Sequence, residues 1–404
     1  MLAKSNLKFR LAMNQIDYIE RDVTAKIMSL YNVFPVITVT GPRQSGKTTL
    51  CRQMFSGLPY LDFERLDVQH AIMDDPNTFI LQYPTGAILD EAQRFPDIFS
   101  YLKAVVDEDR FQGSTEHRYI VSGSSNFSLL ESISQSMAGR TAVITLLPLS
   151  VREIEKSLGK IDTDRLMING GYPAIWRNGD NQRDDLLANY YATYVERDVR
   201  RIINVQNLVQ FQNFMIMCAS RVGSELNLTS ISTQLGISAT TLKKWLNILI
   251  ASYVLHLLPP YFSNINKRLI KTPKIYFYDT GLVCHLLGIR NSQELATHPL
   301  RGNIFENMVV NEFVKNDYNQ GKKSQLFFYR DKTREVDLLR MVGPKRFEAY
   351  EIKSSRTYHK EYQSNLKYLQ ELVPDEIVKT SVVCDSVIEN KDTKEAFINF
   401  RSIH

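Results

Sequence analysis

The residues best suited to chemistry lie near the start of the chain. Gly41-Pro42-Arg43-Gln44-Ser45-Gly46-Lys47-Thr48 sets two glycines ahead of a lysine and a hydroxyl residue. That spacing lets successive backbone N–H groups turn inward around phosphate oxygens at a helix N-terminus. Lys47 is then expected on the β and γ phosphates and Thr48 on Mg²⁺, with Thr49 as a further phosphate contact. Asp90 closes the apolar run Gly86-Ala87-Ile88-Leu89 and Glu91 follows it. In such a pair the first carboxylate holds the hydrated Mg²⁺ and the second polarises attacking water. Ser122, after Arg118-Tyr119-Ile120-Val121, is placed to sense a γ-phosphate; the alternative is a Ser-rich turn with Gly123, Ser124 and Ser125. Arg140, after Met137-Ala138-Gly139, is a candidate arginine finger for a neighbouring subunit, the alternative being an ordinary surface arginine.

A second constellation lies in the last hundred residues. Glu306 falls on a helical stretch, Asp337 within Glu335-Val336-Asp337-Leu338-Leu339, and Glu351-Ile352-Lys353 at the end of the next strand. Residues two apart share a strand face, so Glu351 and Lys353 point the same way with Asp337 alongside. Converging carboxylates with a lysine suit metal-assisted phosphodiester cleavage. The alternative is a set of surface ion pairs on a small sheet.

The elements that must position these groups follow from periodicity. Val36 to Thr40 is a β-branched strand, and Lys47 to Phe55 a helix. Gly86 to Asp90 and Arg118 to Ser122 are buried strands with polar C-terminal ends, where an open parallel sheet takes its ligand. With a helix over Phe99 to Asp107, strands and helices alternate through about 150 residues, which predicts an α/β domain over residues 31–160 behind a helical lead-in, 1–30. Residues 161–222 read as wholly helical. Leu228 to Leu235, Gly236, and Ser238 to Ala251 make a helix-turn-helix, and Tyr253 to Leu258 with Lys274 to Tyr278 make the two strands of a wing, so 223–290 is a winged-helix candidate. Its exposed Lys243 and Lys244, with wing cations Lys267, Arg268, Lys271 and Lys274, are expected on nucleic-acid phosphates; Leu242, Trp245 and Leu246 are expected in the core. Residues 300–404 read as a further α/β unit: a helix over Ile304 to Lys315, three strands from Leu326 to Lys353, a helix over Tyr362 to Leu372, and a strand over Thr380 to Cys384.

Composition bounds the reading without naming a function. The chain has 404 residues, net charge +5 and 23% charged residues, which suits a soluble multidomain protein and permits contact with a polyanion. Its four cysteines show no paired spacing, the pattern of a reducing cytosol rather than of a zinc site. The first twenty residues hold no signal-peptide core, and the most apolar stretch ends at Pro259-Pro260, too short for a membrane span.

Taken together, the chain resembles bacterial and archaeal AAA-type ATPases with a C-terminal domain of unknown function. The resemblance rests on residues 41–49, Leu89-Asp90-Glu91-Ala92-Gln93, Ser122-Gly123-Ser124, Ala138-Gly139-Arg140, Gly170-Gly171-Tyr172-Pro173 and Tyr194-Val195-Glu196-Arg197-Asp198-Val199. Ser45 departs from it, standing where a small apolar residue, usually valine, is expected. The resemblance implies ATP as the nucleotide, held by residues 41–49 with Mg²⁺, and a winged helix after the ATPase core. The C-terminal set resembles the PD-(D/E)XK nuclease-like fold. The combined expectation is a DNA-associated ATPase, acting through the winged helix and C-terminal domain, with an oligomeric assembly left open. A nucleotide-gated nuclease and a nucleotide-dependent protein scaffold stand as rivals.

Overall fold

The computed structural model describes residues 18–113, 118–123, 136–194, 208–261, 272–390 and 396–403. Lys267, Arg268 and Lys271 lie outside the described residues, as do Ser124 and Ser125. The first domain is a five-stranded, all-parallel sheet of β1 (Val36–Thr40), β2 (Tyr60–Asp62), β3 (Ile88–Asp90), β4 (Tyr119–Ser122) and β5 (Thr141–Thr145), in the order β2-β3-β4-β1-β5. All five β1 side chains are buried, because helices cover both faces of the sheet. Ile37 and Val39 pack with Leu50 and Phe55 of one layer, whereas Val36 packs with Leu89, Phe99 and Val121 of the other. Strand alternation sends successive residues into opposite layers. The helices expected here run over Lys47–Met54 and Ile98–Gln112. Periodicity does not mark β2, three residues long, or β5, an edge strand of mixed polarity.

Helices Thr163–Asn169, Pro173–Asn178, Arg183–Tyr194 and Leu208–Ala219 follow. Leu228–Leu235 and Ala239–Ala251 then turn about Gly236, whose φ of +65° suits a residue without a Cβ. Ser238 caps the second helix by accepting from the Thr241 N–H. Trp245 packs against Phe211 and Phe214 at 5.3 and 5.9 Å between centroids, which places it in the core as its helical spacing predicts. Lys243 and Lys244 are exposed on the same helix. The hairpin β6 (Leu255–Leu258) and β7 (Lys274–Phe277) is antiparallel.

The last unit is a mixed sheet, β12-β11-β10-β9-β8, built from β8 (Leu326–Arg330), β9 (Glu335–Gly343), β10 (Arg346–Ile352), β11 (Ile377–Cys384) and β12 (Phe397–Asn399). Helix Arg301–Asn319 packs on one face, with Phe313 against Tyr350 and Phe305 against Phe400. The β6–β7 hairpin does not stand apart from this sheet. Past β6 the chain runs along β8, where the Phe328 N–H donates to Pro259 O at 3.1 Å and the Tyr261 N–H to Phe328 O at 2.7 Å, covering that sheet edge. One apolar core runs from Leu147 and Tyr172 through Trp245 and Tyr276 to Phe305 and Ile352. Among the described residues, no helix is long and apolar enough to cross a membrane.

Candidate nucleotide site and C-terminal acidic pocket

The glycine loop joins the C-terminal end of β1 to helix Lys47–Met54. Gly41 has φ +136°, and a Cβ there would stand 2.2 Å from the Leu146 carbonyl oxygen on the chain leaving β5, so only glycine fits this close approach. Gly46 has φ +94° and turns the loop into the helix. Ser45 is fully buried and donates its hydroxyl to Pro42 O at 2.9 Å, so the departure from an apolar residue leaves no orphaned donor. The Lys47 ammonium lies inside the loop, donating to Gly41 O at 3.0 Å and Pro42 O at 2.6 Å. Burial pushes its pKa down to about 8, against the pull of the Glu91 and Asp90 carboxylates.

Asp90 is the hub of the site. β4 lies between β1 and β3 and carries Ser122 in register with Val39, so the sheet brings the three strand ends together. Thr48 Oγ1 and Tyr60 OH each donate to Asp90 Oδ2 at 2.8 Å, while Ser122 Oγ and the Glu91 N–H donate to Oδ1. The fully buried Ser122 hydroxyl is thus spent on Asp90. Glu91 has φ +54°, a left-handed conformation that costs a non-glycine residue about 1–3 kcal/mol and sets its carboxylate beside Gln93, which donates to Oε2. Burial raises the Glu91 pKa, opposed by Lys47 and reinforced by Asp90. The set fits Mg²⁺: a hydroxyl and a carboxylate, both hard oxygen donors, 2.8 Å apart beside the glycine loop.

Arg140 sits at the other end of the sheet. Its carbonyl accepts from the Val36 N–H where β1 begins, and its guanidinium grips Asp107 at 2.6 and 2.8 Å. One strand length, roughly 15 Å, separates it from its own glycine loop.

Two groups that spacing did not reveal complete the site. Tyr60 comes from the short β2, with Arg52 stacked 4.6 Å over its ring. Arg21, only 5% exposed, donates to Ser45 O at 2.8 Å, to Leu147 O at 2.6 Å and to the buried Glu153 carboxylate at 3.1 Å, so it ties the glycine loop to the chain leaving β5. No local pattern marks either residue.

Farther along, Asp279 accepts from the Gly171 and Leu282 N–H groups, which gives Gly170-Gly171 a packing reason. A Cβ on Gly170 would lie 2.3 Å from the Asp279 carboxylate. Lys315 and Glu312, on helix Arg301–Asn319, bind Leu149 O and the Val151 N–H. The C-terminal unit therefore holds the backbone that follows β5.

Glu306, Asp337, Glu351 and the half-buried Lys353 come together in one cluster of charges. Lys353 Nζ reaches Glu351 Oε1 at 2.7 Å and Asp337 Oδ2 at 3.7 Å, and Asp337 also accepts from the Ile352 N–H. Glu306 is turned instead to Lys274 Nζ at 3.2 Å and Tyr276 OH at 2.5 Å, both on β7. Among the described residues no three acidic, histidine or cysteine side chains stand together as a metal-ion cage, so the pocket as arranged does not fit a metal. Burial and the Asp337 charge push the Glu306 and Glu351 carboxyls well above the ordinary range, to about 7. One expectation is corrected here: Lys274 is no surface wing cation. It is 3% exposed and paired with Glu306 and with Glu335 at 2.6 Å, because β7 is buried under helix Arg301–Asn319 and β9.

The parallel sheet, the glycine loop around Lys47 and the Thr48–Asp90 contact define a parallel-sheet P-loop ATPase core. Residues 33–155 match the AAA domain family, residues 160–293 a domain of unknown function (DUF8612), and residues 301–401 another (DUF4143). An uncharacterized protein of Mycobacterium tuberculosis is 31% identical over 306 residues, covering 73% of this chain. The chain spans 65% of that relative's length. An uncharacterized protein of Methanocaldococcus jannaschii is 22% identical over 352 residues, covering 80% of this chain and 74% of its own. A solved Walker-type ATPase of Pyrococcus abyssi overlays with a TM-score of 0.45 at 12% identity, covering 67% of this chain and 96% of its own.

Proposed function

We propose that the chain binds and hydrolyses ATP at residues 41–49 and uses the cycle on DNA. The observation that carries the ATPase reading is the Thr48–Asp90–Ser122 linkage set beside Lys47 and Glu91. Bound Mg²⁺ would supply charge neutralisation of the phosphates, held by Thr48 and Asp90. Lys47 leaves its loop carbonyls for phosphate oxygens, regaining as charge complementarity what burial costs its ammonium. Glu91, half-buried with a raised pKa and oriented by Gln93, accepts the proton of attacking water. Arg140 serves a neighbouring copy, since its own loop is a strand length away; this makes the active form an oligomer.

Support for a DNA partner comes from the helix-turn-helix geometry and the exposed Lys243 and Lys244; Lys267, Arg268 and Lys271 of the adjoining stretch are assigned the same role from sequence. We assign residues 1–30 to a lead-in, 31–160 to the ATPase, 161–222 to the helical subdomain, 223–290 to the winged helix and 300–404 to a nuclease-like domain, in a cytoplasmic protein. A second reading, a nucleotide-dependent switch that does not cut, is favoured by Lys274 standing in the acidic pocket.

The test is ATP turnover with and without single- and double-stranded DNA, beside Lys47→Ala and Glu91→Gln. Stimulation by DNA that both variants lose supports the reading; turnover indifferent to DNA favours the switch. Absence of turnover with tight ATP binding refutes the enzyme.

A further inference from the structure

Tyr60 reaches the nucleotide site from β2, the edge strand of the parallel sheet, where it pairs in register with Ile88 of β3. Asp90 lies two residues farther along β3, about 7 Å at the usual rise of a strand. A tyrosine spans that length and a serine or threonine does not. The Tyr60 hydroxyl donates to Asp90 Oδ2 at 2.8 Å, the oxygen that also accepts from Thr48 Oγ1 at 2.8 Å. Arg52, one turn beyond Thr48 on the same helix, lies 4.6 Å over the Tyr60 ring. The helix that carries Thr48 thus also sets the ring.

The four donors to Asp90 divide by oxygen. Ser122 Oγ and the Glu91 N–H hold Oδ1 from the sheet and the backbone, while Thr48 and Tyr60 hold Oδ2. The last torsion of an aspartate lies in a broad, two-fold well, so its hydrogen bonds decide which way the oxygens face. Thr48 is itself the hydroxyl assigned to the metal. Tyr60 is therefore the donor to Oδ2 that is independent of the metal's own ligands.

We propose that Tyr60 is a positioning residue for nucleotide-bound Mg²⁺, holding Asp90 Oδ2 beside the Thr48 hydroxyl. The proposal rests on the reading that residues 41–49 bind ATP with Mg²⁺ on Thr48 and Asp90. Metal-free nucleotide is held by the glycine loop and Lys47, so loss of the Tyr60 hydroxyl is expected to spare it. The contribution of β2 to the site is then specific to the metal-loaded state.

The probe is a fluorescent ATP analogue, titrated into the full chain in excess EDTA and again over a series of Mg²⁺ concentrations. Tyr60→Phe keeps the ring under Arg52 and removes only the hydroxyl. It should leave affinity for the metal-free analogue within about twofold and raise the Mg²⁺ concentration of half-effect roughly tenfold, the order of one hydrogen bond to a charged group. In an Asp90→Asn background the same change should add nothing, since Tyr60 acts through that carboxylate. Arg52→Lys keeps the charge and gives up the planar stack, and should move the Mg²⁺ midpoint the same way by about two- to fivefold. Thermal unfolding reports the fold; should Tyr60→Phe unfold, Arg52→Lys carries the test, and an unmoved midpoint there overturns the proposal. An unchanged or lower midpoint in folded Tyr60→Phe overturns it too, as does an equal loss of affinity with and without Mg²⁺, the mark of a purely structural contact. Binding that Mg²⁺ does not alter in the unaltered chain removes the role of Tyr60 and leaves the nucleotide reading standing. If the unaltered chain binds the analogue in neither condition, the ATP reading itself falls and the role of Tyr60 with it.

Discussion

Arg21→Met tests how the glycine loop is held. The guanidinium donates to Ser45 O, Leu147 O and Glu153, and its removal orphans two buried carbonyls and leaves Glu153, fully buried, with its backbone donors from Asp22 and Ser150. Removing one partner of a buried ion pair costs about 3–5 kcal/mol, and the surviving amide donors place this case near 3 kcal/mol. The share that reaches the loop is the charge-assisted bond to Ser45 O, worth about 1.5–3 kcal/mol. At about 1.4 kcal/mol per tenfold, ATP binding should weaken roughly 10- to 100-fold. Urea denaturation and titration with a fluorescent ATP analogue measure the two effects separately. Arg21→Met with Glu153→Gln should regain stability yet bind ATP as weakly as the single variant, because Ser45 O stays unpartnered. An ATP affinity within about twofold of the unaltered chain would refute the claim that Arg21 holds the loop, whatever happens to stability.

Gly41→Ala should abolish ATP binding and destabilise the ATPase domain by about 1–3 kcal/mol or more, since its Cβ would meet Leu146 O at a positive φ; normal nucleotide titration would show that the backbone can yield. Arg140→Ala should slow hydrolysis by about 10³-fold with ATP binding intact, and mixing it with Lys47→Ala should restore part of the turnover. Restoration cannot occur if the arginine acts within its own chain. The acidic pocket predicts a pH dependence of stability. The Glu306 and Glu351 carboxyls have folded pKa values raised from 4.5 to about 7, so the folded chain holds more protons than the unfolded one across that window. Their contribution is fully present below the unfolded value and is lost as pH rises through about 7. Glu351→Gln should flatten the slope of unfolding free energy between about pH 5 and pH 7.5, and an unchanged slope would remove these groups as its source.

Local patterns were enough to place much of this molecule. The glycine spacing, the apolar run ending in Asp90 and the alternation of strand and helix are short-range signals, because a phosphate cradle and a buried parallel strand are each made by neighbouring residues. Hence the P-loop, β1, β3, β4, the helix-turn-helix and the C-terminal strands β8 to β11 were legible, as was Trp245 as core, whereas the three-residue edge strand β12 was not. Strand order was not legible. It is the insertion of β4 between β1 and β3 that turns Ser122 onto Asp90, and a three-residue strand that delivers Tyr60. Arg21 and Glu153 are 132 residues apart in sequence and meet only in the fold. Lys274 is the clearest case: in the sequence it continues a basic stretch and reads as a surface cation, yet β7 buries it against helix Arg301–Asn319 and β9. Charge type is written in the sequence, but its partner and its exposure depend on contacts between distant segments, which tertiary packing alone decides.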